Sequence, residues 1–265
     1  MKIFKKIALT TAALALGTVI GTTISHADSV KSELKTPDTL TIGLEGTYAP
    51  FSYRKDGKLQ GFEVELGKAV AKKMGLKAKF VPTKWDSLIA GLGAKKFDVV
   101  MNNIAQTPER EKKYLFSDPY ISSHFSSHFV MIVKENSSLK TLKSIKGHKF
   151  AAGVGTNNAT LVKKYGGITV DDSDFASGLD MIKQGRVEGM INSREAWYVY
   201  AKKHSTKGLK MIDVSSEAKP VKVAAMFNKN SSALQKQYNQ ALQELQKDGT
   251  LQKLSQKYFG ADITK

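Results

Sequence analysis

The chain has 265 residues and sets 41 lysines and arginines against 24 aspartates and glutamates, a formal net charge of +17. It contains no cysteine, which excludes a disulfide framework, a zinc–thiolate site and a thiol nucleophile. Almost all the positive charge is lysine, with arginine only at Arg54, Arg110, Arg186 and Arg194; such hydrated point charges suit diffuse, salt-sensitive attraction to polyanions rather than bidentate reading.

The N-terminus reads as a cleaved export signal over residues 1–27. Lys2, Lys5 and Lys6 form a positive n-region, Ile7 to Ile20 an apolar core, and Ser25-His26-Ala27 puts small residues at the −3 and −1 positions. The apolar stretch approaches the length of a membrane span but is rich in Gly and Thr, and no later segment is apolar enough to span. Asp28 and Ser29 follow Ala27, so the lipid-bearing cysteine that often follows an export signal is missing. Residues 28–38 are polar and lysine-bearing and are expected to be disordered.

Thr39 to Leu44 alternates like a strand and runs into a turn-rich segment ending at Pro50. Phe62, Leu66, Ala69 and Val70 share a helical face that Gly75 stops; Ala78–Val81 is a strand, Asp86 to Leu92 a helix and Phe97–Met101 a strand. The pattern then restarts. Phe129–Val133 and Lys149–Val154 read as strands around a short helix at Leu139–Ile145, Asp180–Lys183 is helical, Val187–Ile191 is a strand and Val221–Phe227 is extended. Leu234, Tyr238, Leu242 and Leu245 mark a C-terminal helix that Asp248-Gly249 interrupts. Strands alternating with helices at this spacing indicate two α/β lobes with largely parallel sheets.

Four segments carry polar groups suited to a zwitterion. Glu45 to Phe51 presents an acid and the aromatic Tyr48 after a strand, and Lys84-Trp85-Asp86 puts an aromatic at a helix start. Asn102-Asn103-Ile104-Ala105 precedes Thr107-Pro108-Glu109-Arg110, whose guanidinium is a natural partner of a carboxylate. Gly153-Val154-Gly155-Thr156-Asn157 is a strand–turn–helix element whose free N–H groups can hold an anion. Singly, each has an ordinary structural reading as a turn, a core residue or a surface charge. The tandem Ser-Ser-His-Phe at 122–129 puts His124 and His128 four apart, but its phenylalanines argue for extended chain, and no metal is expected.

Order and spacing decide between these readings. From Gly43 onward the chain resembles the polar-amino-acid-binding proteins of ABC importers (solute-binding protein family 3). The resemblance is carried by Gly61-Phe62-Glu63-Val64-Glu65-Leu66 with Ala69-Val70-Ala71, Thr107-Pro108-Glu109-Arg110, Phe116-Ser117-Asp118-Pro119-Tyr120, Gly155-Thr156, Gly185-Arg186-Val187-Glu188 and Tyr258-Phe259-Gly260. It implies a two-lobed, type II periplasmic-binding-protein-like α/β fold with two extended hinge crossings and ligand in the interlobe cleft. The expected boundaries are 39–121 and 223–265 for a discontinuous lobe 1 and 122–222 for lobe 2.

The resemblance also assigns roles. The ligand carboxylate goes to Arg110, the backbone of Ala105, and Thr156 with its helix-start neighbours Gly153 and Asn157; Tyr48 and Trp85 sandwich the ligand, and Glu45 meets its side chain. Asn102, Asn103, Asn192 and Ser193 complete the expected set. There are departures: Ala105 stands where many members have threonine, and Ser193 where the family usually has an aspartate for the α-ammonium, which leaves Glu45 or Glu195 to supply the counter-charge. The missing lipid attachment cysteine, the lysine richness and Asn102-Asn103-Ile104 look most like the basic surface proteins of lactobacilli, associated with cystine uptake and in some cases adhesion to host matrix.

The expectation is therefore a secreted, non-lipidated, surface-associated monomer of a Gram-positive bacterium. It would deliver cystine or another polar amino acid to an ABC permease, held nearby by anionic wall polymer or lipid, with no cofactor and no nucleic acid. Adhesion is the alternative or additional role. Catalysis is not expected, because Glu188 and Glu195 have no second acid–base group at readable spacing.

Overall fold

Strands buried on both faces read as continuous apolar runs, and the chain uses two sets of them. The computed structural model describes residues 26–122, 129–172, 174–218 and 221–264. The first set begins with α1 (His26–Glu33), β1 (Thr39–Leu44), the hairpin β2 (Tyr53–Lys55) and β3 (Lys58–Gln60), α2 (Phe62–Lys73), β4 (Lys77–Pro82) and α3 (Trp85–Gly93). It ends with β5 (Val99–Val100), β6 (Ala105–Gln106), α4 (Pro108–Glu111) and β7 (Tyr114–Phe116). The second set is β8 (Phe129–Lys134), β9 (Lys149–Ala151), α5 (Asn157–Lys164), β10 (Ile168–Val170), α6 (Phe175–Gln184), β11 (Gly189–Ser193), α7 (Arg194–Ala201) and β12 (Leu209–Asp213). The chain then adds β13 (Lys222–Val223), β14 (Met226–Asn228), α8 (Ser232–Lys247) and α9 (Thr250–Phe259).

Each set builds one five-stranded sheet. Lobe 1 has the order β4-β1-β5-β14-β7 and lobe 2 the order β10-β9-β11-β8-β12. In both, the fourth strand runs antiparallel to its neighbours, and in both it is the strand by which the chain enters the lobe after a crossing. The late strand β14 lies between β5 and β7, so lobe 1 is closed by C-terminal residues. The crossings meet where β6 pairs with β13 and Ile121 bridges Val223.

Alternation explains the packing. In β8, Phe129, Met131 and Val133 enter one core while Val130 and Ile132 enter the core on the opposite face. In lobe 1, Leu40, Ile42 and Val99 pack beneath α2 and α8, whereas Val100 and Met226 join Trp85, Leu88 and Leu92 on the α3 side. Gly43 permits this close layering, since a Cβ there would lie 2.7 Å from the Phe97 ring.

The leader differs from expectation. Residues 28–38 were expected to be disordered, but α1 packs on α8 with Val30 buried, and Leu34, just past the end of α1, is buried in the same core. The Glu33 carboxylate accepts from the backbone N–H groups of Ala233 (3.2 Å) and Leu234 (2.7 Å) at the start of α8. Ser231, the residue before that helix, makes no side-chain cap of its own, so Glu33 supplies the missing acceptor. The Lys35 amide then donates to Asp98. The signal core, and the histidine pair at 124 and 128, lie outside the described residues.

Candidate functional site

The cleft between the lobes is walled by the ends of β1, α3, β5, β11 and α5. The loop after β1 is closed on itself by a pair of backbone bonds between Tyr48 and Ser52 (2.7 and 2.9 Å). It presents Glu45 and Tyr48, with the Tyr48 ring stacked on Phe51 at 5.2 Å. Glu45 is locked twice to Asn102: its N–H donates to Asn102 Oδ1 (2.9 Å), and Asn102 Nδ2 donates to Glu45 Oε2 (2.7 Å). Burial pushes the Glu45 carboxyl above its ordinary range, and the Asn102 bond opposes that rise.

Arg110 arrives on α4, whose first turn is capped by the Thr107 hydroxyl. Its guanidinium lies over the Trp85 ring at 5.6 Å and donates from one terminal nitrogen to the Ala105 carbonyl (2.8 Å) and from the other to the Gly155 carbonyl (3.1 Å). No carboxylate forms an ion pair with it among the described residues. Burial pulls its pKa down from the usual arginine value, so the cation sits in a site that an arriving anion would relieve. Two of five N–H donors are spent on carbonyls, which leaves the others for a carboxylate.

Lobe 2 contributes α5 and the end of β11. Thr156 caps α5: its hydroxyl donates to the Gly153 carbonyl (2.7 Å) and accepts from the Ala159 amide (2.9 Å). That hydroxyl proton is therefore committed within lobe 2, and the donors left for an anion are the first backbone N–H groups of the helix, at Asn157 and Asn158. Asn192 Oδ1 accepts from the Tyr48 hydroxyl (2.7 Å), with Ser193 Oγ 3.2 Å from the same hydroxyl. Ser193 also caps α7 by accepting from Ala196 N (3.2 Å).

One cavity of ≈ 90 Å³ collects Glu45, Tyr48, Trp85, Asn102, Asn103, Ala105, Arg110, Thr156, Asn157, Asn192 and Ser193, and adds Phe129, Asn158, Val221 and Val223. Gly153 lies instead on a neighbouring cavity of ≈ 470 Å³, which shares Glu45 and Trp85 with the first and contains Asp86, Asp171, Asp172 and Asp174. Sequence reasoning passed over Asn158, although its place in the first turn of α5 marked it, and over Phe129, Val221 and Val223, apolar walls with no chemical signature of their own. Among the residues lining the smaller cavity, Glu45 and Arg110 are the charged pair, one carboxylate and one guanidinium. That is the complement of a molecule bearing an ammonium and a carboxylate.

Direct bonds join the lobes across this cavity: Tyr48 to Asn192 and Ser193, Arg110 to Gly155, and the Trp85 indole N–H to the Val154 carbonyl at 2.8 Å. The arrangement binds and encloses. It places no nucleophile–base pair against the cavity.

Comparison with known proteins agrees with this geometry. Residues 40–261 match the bacterial extracellular solute-binding proteins, family 3. A probable amino-acid ABC transporter-binding protein of Haemophilus influenzae is 40% identical over 261 residues, covering 98% of this chain and 99% of that protein. The L-cystine-binding protein TcyA of Bacillus subtilis is 39% identical over 236 residues, covering 88% of this chain and 86% of TcyA. A structure solved in work on glutathione import through GshT and the cystine ABC importer TcyBC of Streptococcus mutans superposes with a TM-score of 0.77 at 32% identity, covering 86% of this chain and 97% of that one. Two lobes, a cleft lined by one carboxylate and one guanidinium, and a family match over most of the length lead to one assignment: the chain belongs to family 3 of the bacterial extracellular solute-binding proteins, which are receptors and not enzymes.

Proposed function

We propose that this receptor captures L-cystine outside the cytoplasmic membrane and presents it to the permease of an ABC importer. The observation that carries the reading is the Glu45–Arg110 pair facing one cavity, continued past Glu45 and Trp85 by the larger cavity, where Asp86, Asp171, Asp172 and Asp174 outnumber the one lining cation, Lys84. Arg110 and the N-terminus of α5 take one carboxylate, and Glu45, held by Asn102, takes an ammonium in place of the aspartate that Ser193 replaces. The continuation gives the far half of a two-ended amino acid room and an acidic wall for its second ammonium. The names of TcyA and of the TcyBC-linked structure support cystine among the polar amino acids.

A thermal-shift panel of L-cystine, glutathione, L-arginine and L-glutamine tests this. A ligand at a hundred times its Kd stabilises by about 2.7 kcal/mol, which raises the Tm of a domain this size by roughly 5–10 °C. L-cystine is expected to give the largest shift. A larger shift with any other member reassigns the ligand, and no shift with any of them overturns the reading.

We further propose that the protein acts as a non-lipidated monomer on a Gram-positive surface, its lysine surplus held by anionic wall polymer or lipid. Adsorption to teichoic acid should vanish well below 1 M NaCl, where the screening length falls to about 3 Å, while cleft binding persists. Adsorption that survives such salt would rule out retention by charge.

A further inference from the structure

The stretch Gly61–Leu66 lines neither cavity, yet its polar groups reach several pieces of the cleft. At the start of α2, Phe62 N donates to Pro50 O (2.9 Å) and Glu63 N to Phe51 O (3.0 Å), so the helix holds the loop that carries Tyr48. Gly61 sits at φ 135, where a Cβ would fall 2.2 Å from the Phe51 carbonyl oxygen, so this approach needs glycine. Glu65 turns to the opposite side and accepts from Lys257 and Tyr258 on α9.

Glu63 is the unusual member. It is a carboxylate with no exposed surface. Its Oε1 accepts from the backbone N–H of Asn103 (2.7 Å) and from the Tyr120 hydroxyl, and its Oε2 has no partner. Asn103 is a cavity-lining residue in the left-handed region, at φ 49. Tyr120 lies beside the crossings: its N–H donates to the Val223 carbonyl (3.1 Å), its successor Ile121 bridges Val223, and Val223 lines the cavity. One oxygen atom thus ties a strained residue of the cleft floor to the place where both crossings run side by side. A leucine would fill the volume without the cost of burying a carboxylate, but it would leave the Asn103 N–H and the Tyr120 hydroxyl unpaired.

We propose that Glu63 is a positioning residue for amino-acid binding, its buried carboxylate holding the Asn103 backbone and the Tyr120 hydroxyl so that the cleft floor and the crossings keep one geometry. This rests on the reading of the cleft as an amino-acid site. The titratable groups facing Glu63 are Tyr120 from the crossing, Tyr238 from α8 and Glu45 from the cleft, and no cation among the described residues pairs with it. Burial pushes its carboxyl up to about 7, so its charge changes near neutral pH. The ionised form makes the stronger acceptor for both donors. Affinity therefore rises as pH increases through this range.

The test is calorimetric titration of L-cystine into wild type, Glu63→Gln and Glu63→Leu at several pH values from 5.5 to 8.5. Glutamine keeps the acceptor oxygen and removes the titration. Glu63→Gln should bind within about threefold of wild type at pH 5.5 but lack its roughly tenfold gain in affinity towards pH 8.5. Glu45 feels the Glu63 charge, so the difference between the two profiles reports the loss of the Glu63 titration together with any change it induces in Glu45. Glu63→Leu, where circular dichroism shows it folded, should bind at least about thirtyfold more weakly. A Glu63→Gln profile superimposable on wild type overturns the proposal whether or not the leucine variant folds, as does a folded Glu63→Leu that binds within threefold of wild type. Wild type that binds neither L-cystine nor L-arginine nor L-glutamine fails earlier, at the assignment of the cleft.

Discussion

At the scale of single residues, the cleft is governed by ionised groups removed from water. Arg110 stacks on Trp85 and spends two donors on carbonyls, but among the described residues no carboxylate forms an ion pair with it. A ligand carboxylate would gain a charge-assisted, bidentate partner there. Arg110→Ala leaves that carboxylate facing backbone N–H groups alone, and calorimetry should show a loss of about 3 kcal/mol, roughly a hundredfold in Kd. Glu63 makes a separate prediction about folding. Its carboxyl is raised to about 7, against an ordinary 4.5, so the folded chain holds this proton more tightly than the unfolded one. The resulting stability is fully present below pH 4.5 and is lost as pH rises through about 7. Urea melts at pH 5 and 8.5 should show wild type losing about 2 kcal/mol relative to Glu63→Gln. An unchanged difference between the two proteins would mean that Glu63 does not titrate in this window.

At the scale of elements, what was legible depended on how a side chain reveals its surroundings. β1, α2 and the interrupted C-terminal helices were readable because their apolar residues recur with the period of the element, and Gly249, at φ 76, marks the break between α8 and α9. Most of the residues that line the cavity could be picked out by their order and spacing along the chain, since singly an acid, an aromatic or a guanidinium at a segment end has an ordinary structural reading. Residue roles were less legible: nothing in Gly155-Thr156 says that the threonine hydroxyl closes back on Gly153 and leaves the anion to the next backbone amides. The helix α1 was missed because Val30, with Leu34 just past its end, is an isolated apolar signal among charges, and because its carboxylate acts on a helix some two hundred residues away. That contact gives the element its prediction. Glu33→Ala removes the acceptor for two amides at the start of α8 and should cost about 1–2 kcal/mol, lowering the Tm by roughly 3–6 °C. Ligand affinity should stay unchanged, since no α1 residue lines either cavity.

At the scale of the whole molecule, ligand binding has to be weighed against contacts that the lobes make with each other. Tyr48, Trp85 and Arg110 of lobe 1 each bond directly to lobe 2, through Asn192, Val154 and Gly155. All three also line the cavity, so most substitutions would confound closure with ligand contact. Trp85 allows the two to be divided within one side chain, because its indole N–H bonds the Val154 carbonyl while its ring lies beneath Arg110 and against the cavity. Trp85→Phe keeps an aromatic face against the guanidinium and removes the interlobe donor. The lost bond is worth about 1 kcal/mol, and because it exists only when the lobes meet, its loss falls on the closed state and shifts the population towards open. The variant should therefore bind L-cystine about fivefold more weakly, and small-angle scattering should show a larger radius of gyration without ligand than wild type has. Saturating ligand should bring the two radii together, because the ligand supplies its own bridge between Arg110 and the start of α5. Equal radii in the absence of ligand, with affinity unchanged, would mean that the Trp85–Val154 bond does not hold the lobes together and that closure rests on the remaining contacts between them, those of Tyr48, Arg110 and the Tyr53–Lys203 pair.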